Sequence, residues 1–117
     1  MTVRRIVPNI PTERPEEARA FYGALLGLEV VMDHGWIVTL AAPGVEAAPQ
    51  ISFAREGGSG TPVPDLSIEV EDLDAVLERV RAAGLRPEYG PVTEPWGVRR
   101  FYVRDPFGRL VNILAHM

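Results

Sequence analysis

The order of elements in this chain repeats, and that repeat constrains the fold more than any single motif. Residues 15 to 27, PEEARAFYGALLG, place Ala18, Phe21, Tyr22, Leu25 and Leu26 at the i, i+3, i+4, i+7, i+8 spacing of a helix lying on a core. Pro15 suits a first helical position, Glu16 and Glu17 complement the positive end of the helix dipole, and Gly27 can take the left-handed conformation that stops the helix. Residues 72 to 84, DLDAVLERVRAAG, repeat the design, with Asp72 as capping oxygen, Leu73, Val76, Leu77 and Val80 as the stripe, and Gly84 as the stop. The two post-helix glycines are 57 residues apart, and each is followed by Leu.

Each helix follows an extended stretch, RRIVPNI or PDLSIEV, and precedes three β-rich runs. After Gly27 these are LEVVMD, WIVTLAA and QISFAR; after Gly84 they are LRPEYG, VRRFYVR and RLVNILA. The expected fold class is therefore α+β, a single domain of two βαβββ repeats, 1–55 and 63–117, joined by a Gly/Pro-rich linker at 56–62. A four-stranded sheet carrying one helix buries only one face. Two such units side by side form a curved mixed sheet around a cup, which suits a small molecule.

Composition narrows the partners. With 12 basic and 16 acidic residues the net charge is −4, and Arg is interspersed with Glu and Asp, so neither nucleic acid nor an anionic membrane finds a basic footprint. The chain has no cysteine, which removes disulfides, thiolate metal sites and a Cys nucleophile. MTVRRIVPNIP lacks the apolar core of a signal peptide and no run approaches the ~18 apolar residues of a membrane span. The expectation is a soluble, cytoplasmic protein.

The closing segment, EPWGVRRFYVRDPFGRLVNILAHM, holds the chemistry-bearing residues. As a strand, VRRFYVR sets Arg99, Phe101 and Val103 on one face and Val98, Arg100 and Tyr102 on the other. Asp105 and Gly108 make the DPFG turn, and pairing through it places Phe101 roughly opposite Asn112, the one polar side chain among Leu110, Val111, Ile113 and Leu114. Arg99, Phe101 and Asn112 are then expected to line the cup. Arg99 can engage a ligand carboxylate or phosphate, or form an ion pair at the rim. Trp96 can stack on a planar ligand, cap the core or meet a second subunit. Of the two histidines, His34 in MDHGW reads as part of a tight turn and His116, the penultimate residue, as a fraying end, so neither is expected to be a base. Asp65 or Glu69 as the base of a cofactor-free isomerase lacks, in the sequence, a partner to tune it.

The doubled pattern, the ARAFYGALLGLEVV segment and the closing WGVRRFYVRDPFGRLVNIL together resemble the vicinal oxygen chelate superfamily of glyoxalase I, extradiol dioxygenases and the bleomycin- and fosfomycin-resistance proteins. The resemblance covers nearly the whole chain and is closest to the bleomycin-resistance branch. It implies four metal-ligand positions, filled in the metal enzymes by His, Gln or Glu. Counting back seven residues from the start of each helix gives Val7 and Asp65, and aligning QISFAR with NILAHM gives Gln50 and Asn112. One carboxylate, two neutral amides and an aliphatic group make a poor divalent site. The expected function is therefore metal-free and cofactor-free binding of a small organic ligand, with antibiotic sequestration as one role. Gln50, Asp65, Trp96, Arg99, Phe101 and Asn112 are the binding residues, with no catalytic residue and a homodimeric assembly. The alternative is a divalent-metal-dependent lyase or dioxygenase with an atypical ligand set. Asn112 is expected either to bond the ligand or to satisfy a neighbour such as Gln50.

Overall fold

The computed structural model describes residues 2–44 and 48–117. The class is α+β as expected: among the described residues there are eight strands in parallel and antiparallel pairs, with two helical segments. Two compact units divide the chain, an N-terminal unit of Val7–Val63 and a C-terminal unit of Pro64–Met117 that also takes the residues up to Ile6. Strand β1, Val3–Pro11, contributes to both. Among the described residues, no helix is long and apolar enough to cross a membrane.

In the N-terminal unit the strand order is β2-β3-β4-β1, with β2 at Glu29–Asp33, β3 at Ile37–Ala41 and β4 at Gln50–Ala54. β1 runs parallel to β4, in register Asn9 to Ser52. The helical segment is a 3-10 turn, Pro15–Glu17, then a π turn, Arg19–Gly23, then an α turn, α1, at Ala24–Leu26. Gly27 ends it at φ 73°, as expected. The apolar stripe is only partly used. Ala18 is buried and Tyr22 packs on the core of Val38, Leu40 and Phe53, whereas Phe21, Leu25 and Leu26 are exposed. The π turn inserts an extra residue into the helical repeat, which rotates every later side chain relative to a straight α-helix. His34 lies in a tight turn, its N–H donating to Ile37 O at 3.0 Å while Asp33 Oδ1 accepts from Gly35 N at 2.9 Å.

In the C-terminal unit β5, Leu66–Val70, lies beside the start of β1 and runs parallel to β8, Leu110–His116; β7, Val98–Arg104, and β6, Tyr89–Thr93, complete the order β5-β8-β7-β6. Helix α2, Leu73–Ala82, starts at Asp72, whose side chain accepts from Ala75 N at 3.0 Å. Its Leu73 and Leu77 pack with Val70, Phe101, Val111 and Ile113. Strand β6 begins four residues later than the LRPEYG run suggests, with a register shift between Tyr89 and Val92. Gly90 allows the close approach there: at φ 75° a Cβ would stand 2.5 Å from Arg100 O.

Candidate functional site

The register of β7 against β8 decides which side chains share a face. Arg104 pairs with Leu110 around a turn in which Asp105 Oδ1 accepts from Phe107 N at 2.8 Å and Arg109 N at 2.9 Å. Phe101 therefore stands opposite Ile113, and Tyr102 opposite Asn112. This corrects the expected pairing of Phe101 with Asn112 by one residue. Because side chains alternate, one residue is enough to change faces. Phe101 is fully buried beneath α2 and Arg99 forms an ion pair with Asp74 in the first turn of that helix, so neither shares the face of Asn112. Of the two readings of Arg99, the structure shows the ion pair.

The helix-free face of this unit carries Ser67 and Glu69 from β5, Asn112 and His116 from β8, and Arg100 and Tyr102 from β7. Arg100 is buried with Glu94, the guanidinium donating from Nε to Glu94 Oε2 at 2.7 Å and from one Nη to Tyr102 Oη at 2.8 Å. Tyr89 Oη also donates to Glu94 Oε2, at 3.0 Å. The guanidinium carbon lies 4.9 Å from the ring centres of both Trp96 and Tyr102 and 5.4 Å from that of Tyr89. A planar, weakly hydrated cation tolerates such burial when a carboxylate and π faces replace its water. Trp96 thus offers a face of its indole to Arg100. Sequence reasoning missed this box; its one signal was the opposite charges of Glu94 and Arg100 on either side of a short PWG turn.

Asn112 is 6% exposed and donates from Nδ2 to Ser67 Oγ at 3.0 Å. Its partner is Ser67, one rung across β5. Among the described residues Oδ1 is buried with no partner. Asp65 precedes β5; its Oδ2 accepts from Leu110 N at 2.8 Å and its Oδ1 lies 3.6 Å from an Arg109 Nη. Its backbone N–H also donates to Leu110 O, at 2.8 Å, so Asp65 closes the end of the β5/β8 ladder. Farther along the face Glu69 accepts from Arg5 Nε at 2.7 Å and contacts His116 Nδ1 at 2.5 Å. Burial raises the Glu69 pKa, but the hydrogen bond to His116 and the charge of Arg5 outweigh it and leave the carboxyl below its ordinary value.

Gln50 opens β4, half-buried and paired with Ala41. The strand registers revise its correspondence with Asn112: Asn9 pairs with Ser52 in one unit as Ser67 pairs with Asn112 in the other. The counterpart of Asn112 is thus Ser52, two residues on and on the same face, buried with its Oγ 2.7 Å from Thr39 Oγ1. The positions that the resemblance implies are then Val7 and Ser52 in the N-terminal unit, and Asp65 and Asn112 in the C-terminal unit. Among the described residues, no group of three or more His, Cys, Asp or Glu is placed to hold a metal ion. A divalent cation needs anionic or imidazole donors to offset its dehydration, and the one carboxylate here is already engaged by Leu110 N and Arg109, so these residues do not fit one.

A doubled βαβββ order with these registers defines a class. The model of the Glyoxalase/Bleomycin resistance protein/Dioxygenase superfamily matches residues 3–113, and the chain belongs to that superfamily. Among solved structures it is similar to an NAD-dependent benzaldehyde dehydrogenase from Legionella pneumophila, with a TM-score of 0.74 at 13% identity over 97% of this chain and 100% of that one. It is also similar to a superfamily member from Vibrio splendidus 12B01, with a TM-score of 0.65 at 20% identity over 99% and 100% of the two chains. A methylmalonyl-CoA epimerase from Mycobacterium tuberculosis gives 0.66 at 20% identity over 98% and 87%. At these identities the likeness is one of fold. No curated protein matches this chain.

Proposed function

We propose that this chain binds a small organic ligand without the help of a divalent ion, in the manner of the bleomycin-resistance branch, with antibiotic sequestration as one role and a homodimer as the assembly. The observation that carries this reading is the pair Asp65 and Asn112. At two superfamily ligand positions stand a carboxylate tied to Leu110 N and a neutral amide tied to Ser67. A metal-dependent lyase or dioxygenase would require Asp65 to give up a backbone N–H that ends the β5/β8 ladder, and would still have one charge for the ion. The buried Oδ1 of Asn112, which has no donor among the described residues, supports a recognition role for the amide. A ligand N–H or O–H meeting it would form a hydrogen bond where water cannot compete.

Calorimetric titration of chelator-treated protein with bleomycin and a set of planar and cationic antibiotics tests the reading. Saturable binding with a fixed stoichiometry per chain is expected, weakened by about tenfold or more in N112L, since a hydrogen bond made in a buried site contributes about 1–2 kcal/mol. Saturable binding that appears only when a divalent ion is restored contradicts it.

A further inference from the structure

We propose that His116, oriented by Glu69, is a general base on the helix-free face of the C-terminal unit, able to take a proton from a small neutral carbon acid. Strand β8 does not fray at its end: His116 pairs with Val98 and Met117 N donates to Gly97 O at 2.9 Å. That pairing brings the imidazole Nδ1 to 2.5 Å from Glu69 Oε2, while Glu69 Oε1 accepts from Arg5 Nε at 2.7 Å. Arg5 thus holds the carboxylate from one side and leaves its other oxygen for the ring.

The tautomer follows from the partners. An ionised carboxylate accepts only, so Nδ1 carries the hydrogen and the neutral ring keeps its lone pair on Nε2. Among the described residues Nε2 has no partner, and the His116 side chain is 52% exposed whereas that of Glu69 is 14% exposed. The arrangement is that of an orienting acid behind a base, with the reacting proton supplied by the bound molecule. The nearby ions on this face are matched, Arg5 by Glu69 and Arg100 by Glu94, so an uncharged substrate suits it better than a charged one. His116 is the catalytic residue of this proposal and Glu69 its positioning residue. It stands on side chains other than Asp65 and Asn112 and does not depend on the metal-free reading.

The probe is 5-nitro-1,2-benzisoxazole. Nε2 takes its C3 proton, the C–H pair becomes part of the nitrile, the N–O bond breaks, and its electrons leave on the phenolate; the imidazolium then returns its proton to solvent. At mildly alkaline pH the protein is expected to exceed an equal concentration of free imidazole by about a hundredfold or more, the lower reach of positioned general-base catalysis. H116A is expected to fall to the buffer rate with an unchanged circular dichroism spectrum. Imidazole 15N shifts are expected to show Nδ1–H in the wild type and loss of that fixed tautomer in E69Q, whose amide offers either a donor or an acceptor. A rate no greater than that of free imidazole, a rate retained in H116A, or an Nε2–H tautomer in the wild type overturns the proposal.

Discussion

Asn112 gives its amide N–H to Ser67 across β5 and β8, while the oxygen on the same amide is buried and, among the described residues, has no donor to accept from. A buried acceptor left unpaired costs about 1–3 kcal/mol. N112L removes the orphan while keeping a similar volume. Thermal unfolding should show a midpoint raised by several degrees, since about 1 kcal/mol shifts a domain of this size by roughly 4–8 °C. A lowered midpoint would assign the amide a purely structural role.

The Arg100–Glu94 pair behaves in the opposite way. Both side chains are almost fully enclosed, so removing one strands the other as an unpaired buried charge. R100M and E94L should each lose about 3–5 kcal/mol in urea denaturation, and the two combined should lose much less than the sum of the single changes. Additive losses would mean that the two groups do not interact.

Phe101 tests the corrected register. It lies wholly beneath α2, so F101A should lose about 3–5 kcal/mol by opening a cavity against Leu73 and Leu77. A ligand-facing Phe101 would instead weaken binding with little effect on denaturation.

Much of this was legible in the sequence. The VRRFYVR run is β7 residue for residue, Asp72 caps α2, and Gly27 and Gly84 both adopt positive φ. What sequence could not fix was phase. The five residues from Asp105 to Arg109 between β7 and β8 set the pairing one step away from that expected, and in a strand one step exchanges the faces, which moved Arg99 and Phe101 under the helix and put Arg100 and Tyr102 beside Asn112. The π turn did the same to the first helix, leaving Phe21, Leu25 and Leu26 outside. Asp65 bonds Leu110 at the start of the β5/β8 ladder and Asn112 stands opposite Ser67 two residues on, neighbours that only the strand register could assign. The place of His116 was not legible because its strand partner, Val98, and its side-chain partner, Glu69, are both distant in sequence.

Glu69 supplies a pH dependence. Its pKa in the folded chain is lowered from 4.5, so its contribution to stability is fully present above that value and is lost as the pH falls through the lower folded value. Denaturation midpoints should separate wild type from E69Q at neutral pH and converge in strong acid. A gap that stays constant from neutral to acid pH would count against the Arg5–Glu69–His116 arrangement.

Neither Asp65 and Asn112 nor their counterparts Val7 and Ser52 are expected to hold a divalent ion. Elemental analysis of protein purified without chelator and dialysed against metal-free buffer tests it most directly. The account expects nickel, zinc, iron, manganese and cobalt all far below one ion per chain. A stoichiometric ion that survives dialysis and disappears in D65N would contradict it.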